Sequence, residues 1–295
     1  MGQKKKFIDT NIKNKSKTVE ENLQFINYGG RTLPLPTEIE ISESGTCNRK
    51  CSFCPRSDPD FEDKKEFIDS KLHEKMCIEL KEFNYKGTIR YSGFVEPLLD
   101  KNIFNLINMV RSNIPECNIE VVTNGDPLDL GRLKKLFSSG LNRILISAYD
   151  GKEETKKLEQ LCIQANLNEK QYIIRHRYLS EDQDFGITLS NRAGLMQNAE
   201  YKIENLKNPL KNPCYIPSYT FFLDYQGDVL MCPHDWGKKV ILGNLNKNKL
   251  IDIWFSKKSM GIRKMLNNSN RNFSPCNICD VDGTFMGKKN STYFN

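Results

Sequence analysis

Seven of the ten cysteines in this 295-residue chain fall into two spaced groups. The first group is Cys47, Cys51 and Cys54, and the second is Cys214, Cys232, Cys276 and Cys279. The N-terminus has no apolar signal core after its lysines, so we expect the thiols to stay reduced. Reduced cysteines that cluster in sequence indicate metal binding or catalysis rather than disulfides. The remaining Cys77, Cys117 and Cys162 stand alone and are predicted to be small buried hydrophobes.

The first group has the spacing C-x3-C-x2-C within one short loop. Three thiolates can bind three irons of a [4Fe–4S] cluster and leave the fourth iron open to a small molecule. A structural zinc site requires four ligands, and no further Cys or His lies close by in sequence. Chance produces this pattern on the order of 0.01 times in a chain of this composition, so we interpret it as an iron–sulfur loop.

The second group supplies four thiolates, which is enough to close a cluster. A closed cluster cannot chelate a substrate, but it can accept an electron. Zinc bound by four cysteines is the alternative for this group taken alone.

The elements around the first group alternate between strand and helix. Strand-like segments lie at 38–42, 88–91, 119–122, 143–147 and 171–175, and helix-like segments at 67–83, 102–112, 129–138 and 152–164. This alternation predicts an α/β fold with a parallel sheet, either open or closed into a full or partial barrel. Ligands should gather where the strands end, which is where the first cysteine loop falls.

The pattern changes near residue 210. Strand-like segments at 219–223 and 228–232 flank Gln226-Gly227 and predict a hairpin. Short helices are predicted at 249–255 and 257–266, before the final Cys-x-x-Cys. We therefore predict a basic arm and lead-in over 1–36, a core over 37–209 and a smaller cysteine-bearing domain over 210–295.

The C-x3-C-x-aromatic-C loop, its place after the first strand and the later strand-end loops resemble the radical S-adenosylmethionine (SAM) superfamily. The resemblance implies a partial (β/α)6 TIM-like barrel in which SAM chelates the open iron. Reductive cleavage of SAM then yields a 5′-deoxyadenosyl radical that abstracts a substrate hydrogen. The second cysteine group and its surroundings resemble the SPASM/twitch extension, in the short form that carries one auxiliary [4Fe–4S] cluster.

The same resemblance implies residues that bind SAM. They are Phe53 beside the adenine, Gly93 and Glu96 at the amino group, Asn124 and Ser147 along the ribose and methionine, and Arg192 facing SAM or substrate. In the Ser92–Pro97 motif Val95 replaces the usual glycine. The alternatives are turn chemistry for Asn124 and Ser147, a surface carboxylate for Glu96 and a rim ion pair for Arg192.

The expected reaction is oxidation of a secondary alcohol on a sugar or cyclitol-like small molecule, because the chain resembles the radical SAM dehydrogenases of the 2-deoxystreptamine pathway. Candidate catalytic residues are Arg192, Arg175 and His176, and candidate substrate contacts are Tyr91 and His234. The alternatives are a peptide-modifying radical SAM enzyme, an epimerase with Cys162 as hydrogen donor, and a non-catalytic iron–sulfur or zinc scaffold.

The formal net charge of +7 is concentrated at the N-terminus, where residues 1–17 hold six lysines and one acid. We interpret this arm as solvated, and the nearly balanced body argues against nucleic acid as a partner. No apolar run is long enough for a membrane span, so we expect a cytoplasmic protein. A flavodoxin- or ferredoxin-type protein is the expected electron donor.

Overall fold

The structure is a computed structural model, and it describes residues 10–180, 186, 189–198 and 201–294. The strands in this part of the chain are β1 (Phe25–Tyr28), β2 (Arg31–Pro34), β3 (Glu38–Ser42), β4 (Ser44–Gly45), β5 (Lys64–Phe67), β6 (Thr88–Tyr91), β7 (Asn118–Thr123), β8 (Arg143–Ala148), β9 (Tyr172–His176), β10 (Thr220–Asp224), β11 (Asp228–Leu230) and β12 (Ile241–Asn244). The α-helices are α1 (Thr10–Glu21), α2 (Ser70–Glu82), α3 (Ile103–Asn113), α4 (Leu130–Ser138), α5 (Lys152–Gln164), α6 (Leu250–Trp254), α7 (Lys257–Asn267) and α8 (Lys288–Ser291).

The central sheet has the order β12-β11-β10-β3-β6-β7-β8-β9. The six strands from β10 to β9 run parallel, and the β11 and β12 pairings are antiparallel. Helices α2 to α5 each connect two successive strands of the parallel part. The α/β prediction with a parallel sheet is confirmed.

The sixth parallel strand does not follow the fifth along the chain. It is β10, from the region predicted as the second domain, and it pairs with β3 in the register Thr220↔Glu38. All five residues of β10 are buried, as is expected of a strand in the interior of the sheet. The main sheet therefore continues past residue 210, and the boundary placed there stays a prediction.

The two faces of β3 have different surroundings. Ile39 and Ile41 are fully buried in the main apolar core, against the helices. Their neighbour Glu38 points to the opposite face, where Arg90 makes ion pairs of 2.7 Å with both Glu38 and Glu120. Buried charges must be paired, and this network satisfies them at the end where the parallel strands begin. The cysteine loop lies at the opposite end of the strands, which this network leaves available for a functional site.

The N-terminal arm departs from the sequence interpretation. Residues 10–17, read as solvated, belong to helix α1. Lys15 Nζ lies 2.8 Å from Glu38 Oε1, and Val19 is buried against Ile216 and Tyr219. The ion pair with a buried carboxylate and the apolar contact of Val19 thus outweigh the local lysine content. The lysines at 4–6 lie outside the described residues. None of the helices in the described part of the chain has the length and hydropathy of a membrane span.

Candidate active site

The first cysteine loop follows β3 and β4, and its three cysteines are half-buried free thiols. The N–H of Arg49 approaches Cys47 Sγ at 3.5 Å, and Cys54 precedes a short 3-10 helix at Pro55–Ser57. Burial raises the pKa of the Cys51 thiol to about 11, and the nearby Cys54 and Cys47 add to the shift. These thiols therefore require a bound cation to become thiolates near neutral pH.

The four cysteines of the second set line one cavity, together with apolar groups such as Ile216, Met231 and Val281. Burial raises the pKa of Cys232 well above its usual value, with the Cys214 thiol adding to the effect. Arg271 connects the two chain segments that flank this cavity. It is 2% exposed and donates to the backbone carbonyls of Asn212, Pro213, Val281 and Asp282, on both sides of the cavity.

The spacing of the sulfur atoms tests which metal group fits. Four thiolates on one zinc ion, with bonds of about 2.3 Å, would lie about 3.8 Å apart. In the described chain neither cysteine set brings three sulfurs within 4.8 Å of one another. The donors are all sulfur and are spread more widely than a single ion requires, so both sets fit an iron–sulfur cluster better than zinc.

Arg49 ties the first cysteine loop to the ends of β7 and β8. Its Nε donates to Asp126 Oδ2 at 2.7 Å, its Nη1 donates to Asp150 Oδ1 at 3.0 Å, and Glu154 lies 3.5 Å away. These three carboxylates are close enough to hold a cation, and the guanidinium occupies that position. The sequence analysis missed this contact, although Asp126 and Asp150 both lie in strand-end loops.

Glu96 and Gly93 lie in the loop after β6, as predicted from the motif. Glu96 is 1% exposed. Its Oε1 accepts from Thr123 Oγ1 at 2.6 Å, and its Oε2 accepts from Asn124 N at 2.7 Å. Burial raises the pKa of this carboxyl to about 7 against the lowering effect of those hydrogen bonds. Gly93 has φ +99°, and a Cβ there would sit 3.0 Å from the Phe222 ring, so the loop requires glycine.

The loops after β7 and β8 meet the first cysteine loop. Asn124 Nδ2 donates to Asn48 Oδ1 at 2.7 Å and lies 3.9 Å from Cys47 Sγ. Phe53 stacks on Tyr149 with ring centroids 5.6 Å apart. The structure therefore gathers Phe53, Glu96 and Asn124 around the cysteine loop.

Ser147 and Arg175 form a pair at the ends of β8 and β9. Arg175 Nη2 donates to Ser147 Oγ at 2.6 Å. The next residue, His176, stacks on Tyr178 with centroids 5.8 Å apart. All three predicted residues lie at the edge of the sheet where the parallel strands end.

Tyr91 and His234 are placed differently from the other candidates. Tyr91 is fully buried in the main core, and its hydroxyl lies 2.8 Å from His73 Nε2. It exposes no atom to a substrate, which corrects the prediction of a substrate contact. His234 lines the cavity of the second cysteine set, and burial, reinforced by the charge of Arg192, lowers its pKa to about 3.

Arg192 lies between the two cysteine sets. Its guanidinium is 5.7 Å from the centroid of the Trp236 ring, and the next residue, Ala193, lines the cavity of the second set. Burial raises the pKa values of Cys54 and Asp280, and the positive charge of Arg192 lowers both. The buried Nε of Arg192 has no hydrogen-bond partner among the described residues. Its φ is +47°, a strained conformation for a side-chain-bearing residue.

The three buried single cysteines are accounted for by packing. Cys77, Cys117 and Cys162 all belong to the main apolar core. Cys162 is fully buried there, on α5. Cys162 is not among the residues that line the cavity of the second cysteine set.

Known protein families match both of the segments that carry the cysteine sets. The model of the Radical SAM superfamily matches residues 41–177, and the model of SPASM, an iron–sulfur cluster-binding domain, matches residues 214–280. A curated relative is the S-adenosyl-L-methionine-dependent 2-deoxy-scyllo-inosamine dehydrogenase of Niallia circulans. It is 28% identical over 243 residues, which cover 82% of this chain and 92% of the relative.

Two solved structures show the same architecture. The crystal structure of BtrN in complex with AdoMet and 2-DOIA has a TM-score of 0.71 and 27% identity, and the match covers 86% of this chain and 98% of that one. Native anSMEcpe with bound AdoMet has a TM-score of 0.53 over 87% of this chain and 94% of that one. At 14% identity the second shows the fold alone.

The two family models together include both cysteine sets, one set in each model. The chain therefore carries a radical SAM domain followed by a C-terminal SPASM domain, and its cofactors are S-adenosylmethionine, a SAM-binding [4Fe–4S] cluster and auxiliary iron–sulfur clusters.

Proposed function

We propose that this enzyme is a dehydrogenase that oxidises a secondary alcohol of a cyclitol or sugar-like molecule to a ketone. The observation that carries the proposal is Arg192, a cation with a buried, unpartnered Nε in the gap between the two cysteine sets of the described chain. The relative from Niallia circulans, whose length is 92% covered, is named as a dehydrogenase of 2-deoxy-scyllo-inosamine. That aminocyclitol is the first substrate to test.

We assign the two clusters to the two cysteine sets. Cys47, Cys51 and Cys54 would hold the SAM-binding cluster, and Cys214, Cys232, Cys276 and Cys279 the auxiliary one. When bound, SAM and its cluster supply a radical that removes a hydrogen atom, and the auxiliary cluster supplies an acceptor for one electron. A flavodoxin- or ferredoxin-type protein is the proposed source of the starting electron.

The residues around the first loop would hold SAM. Glu96 and Gly93 lie at the end of β6, Asn124 at the end of β7 and Ser147 at the end of β8, and Phe53 lies within the cysteine loop itself. Glu96 must be ionised to attract the SAM ammonium. Its pKa of about 7 means that nearby hydrogen bonds, including that from Asn124 N, keep a buried carboxyl within reach of ionisation.

Arg192 would bind the alcohol oxygen. Oxidation to a ketone removes one hydrogen atom from the carbon, one proton from the hydroxyl and one electron. A guanidinium stays protonated in proteins, so Arg192 would orient the hydroxyl and stabilise negative charge on its oxygen, while the hydroxyl proton passes to solvent. Arg175 and His176, at the end of β9, are proposed to contact the substrate from the other side of the gap.

Epimerisation is not favoured, because its proposed hydrogen donor, Cys162, is fully buried in the core. Among the described residues, no contact specifically supports the alternative of peptide modification.

The proposal is tested by anaerobic reconstitution and assay with 2-deoxy-scyllo-inosamine, SAM and a strong reductant. We expect one ketone for each 5′-deoxyadenosine formed. Arg192→Met should lower ketone formation on the order of 100-fold, the size expected for loss of a charged group that stabilises developing charge. Arg31→Met, at an exposed position on β2, is the matched control and should leave the rate unchanged. SAM cleavage in the wild type without any ketone would overturn the proposal.

A further inference from the structure

Trp236 lies beside Arg192 with an unused hydrogen-bond donor. In the described part of the chain its indole Nε1 donates to no protein group, whereas Nε1 of Trp254, the other tryptophan, donates to Pro34 O at 3.0 Å. Trp236 is half-buried, so this N–H is accessible to solvent or to a ligand. The Nε of Arg192 beside it is buried and has no hydrogen-bond partner among the described residues. The buried donor of Arg192 indicates a ligand that offers oxygen atoms, and the accessible donor of Trp236 lies next to it.

The Trp236 ring is held in place by the protein. It packs on Phe94 with centroids 4.7 Å apart and lies 6.4 Å from Phe61. Phe94 directly follows Gly93, so the ring contacts the loop assigned to SAM. The loop that carries Trp236 is fixed by Asp235, which is 1% exposed and accepts from the backbone N–H groups of Lys239 and Val240 at 2.9 and 2.8 Å.

The place of Trp236 in the chain connects it to the second cysteine set. It lies four residues after Cys232, at the edge of the apolar cluster that contains Phe222 and Leu230. A rigid aromatic face thus stands between the loop assigned to SAM and the cavity of the second set. The Arg192 guanidinium covers part of that face, at 5.7 Å from its centroid.

We infer that Trp236 is a substrate-positioning residue. Its ring offers an apolar face to the C–H groups of a polyhydroxylated ring, its Nε1–H is available to a hydroxyl, and its π-face holds the Arg192 guanidinium in place. The substrate class is therefore a cyclic polyol or amino-polyol with one apolar face. This inference rests on the proposed alcohol oxidation.

The test compares the reconstituted wild type with Trp236→Phe and Trp236→Leu. With 2-deoxy-scyllo-inosamine we expect KM to rise about tenfold in Trp236→Leu, because this variant loses the cation–π contact with Arg192 and the ring contact with the substrate. The rise should be smaller in Trp236→Phe, which keeps an aromatic ring. In Trp236→Leu more 5′-deoxyadenosine should form per ketone, because the substrate is held less well. Phe25→Leu, an exposed aromatic on β1 that contacts Tyr293, is the matched control and should match the wild type.

Tryptophan emission is a second measurement, and its response to substrate would not depend on Trp236 if that residue had a purely structural role. Substrate should change the emission of the wild type and not that of Trp236→Phe, because Trp254 is buried in the core between Phe221 and Phe294. The role of Trp236 would be overturned if the variants kept the wild-type KM, the wild-type ratio of 5′-deoxyadenosine to ketone and the wild-type emission change. It would also be overturned if the variants lost iron together with activity. If the wild type cleaves SAM but forms no ketone, the proposed function fails and this inference falls with it.

Discussion

Arg49 and Asp126 are joined by two hydrogen bonds across 77 residues of sequence, the Nε–Oδ2 bond being 2.7 Å long. Arg49 lies between Cys47 and Cys51, and Asp126 lies just after β7. The same guanidinium reaches Asp150 after β8. The cysteine loop is therefore fixed against two of the loops assigned to SAM, so cluster binding and SAM binding should depend on each other.

Loss of the Arg49 contacts should loosen the first cluster. The ion pairs are partly exposed, with 33% of the Asp126 side chain and 64% of the Asp150 side chain accessible, so we expect about 1–2 kcal/mol rather than the value for a buried pair. Arg49→Gln should release iron to a chelator roughly tenfold faster and weaken SAM binding. Asp150→Asn, which removes the most exposed partner, should have a smaller effect. Equal release rates for wild type and Arg49→Gln would contradict this account.

Arg271 should be required for the auxiliary cluster alone. It bridges the carbonyls on both sides of the second cysteine cavity, and a lysine cannot make that many fixed bonds. Arg271→Lys should retain about four of about eight irons after reconstitution and should still cleave SAM. The measurement is iron and sulfide per chain together with 5′-deoxyadenosine formation. Retention of both clusters would show that Arg271 does not shape the site.

SAM binding should weaken as the pH falls through 7. Burial raises the pKa of Glu96 to about 7, so protonation below this value removes the charge proposed to bind the SAM ammonium. Equilibrium binding of SAM should therefore be tighter at pH 8 than at pH 6 in the wild type. In Glu96→Gln it should be weak at both pH values, with iron content unchanged. A pH dependence that persists in Glu96→Gln would assign the effect to another group.

His73 should make the fold sensitive to acid. Burial lowers its pKa to about 3, whereas in the unfolded chain it is about 6.5. Between these values only the unfolded state binds the proton, so the free energy of unfolding falls as the pH drops below about 6.5, by on the order of a few kcal/mol. Thermal unfolding at pH 7 and pH 5 should show a smaller loss in His73→Gln than in the wild type. His176→Gln, at a half-buried position, is the control and should behave as the wild type does.

Local pattern was sufficient to predict most elements and much of the candidate site. Strand periodicity places Glu96, Asn124 and Ser147 at strand ends, and parallel strands bring such ends together whatever their distance in sequence. The cysteine spacing is equally local. The positions of Glu96, Asn124 and Ser147 at strand ends could therefore be predicted before the fold was known, whereas their assignment to SAM came from the resemblance to the radical SAM superfamily.

The contacts that the sequence could not show all join distant segments. The pairing of β10 with β3, the Lys15–Glu38 ion pair and the binding of Arg49 by Asp126 depend on which surfaces meet after folding. Tyr91 was misplaced for a related reason, because alternation in a strand that is buried on both faces does not tell core from site. Trp236 carried no motif, and only its contact with Arg192 draws attention to it.

The central claim is tested most directly by a substrate deuterated at the carbinol carbon. With 2-deoxy-scyllo-inosamine labelled at the oxidised position, we predict deuterium in 5′-deoxyadenosine and one ketone for each SAM cleaved. The variant with Cys47, Cys51 and Cys54 all changed to Ala should form neither product. Ketone formed without deuterium transfer, or transfer that leaves the alcohol unoxidised, would contradict the assignment of this chain as a radical SAM dehydrogenase.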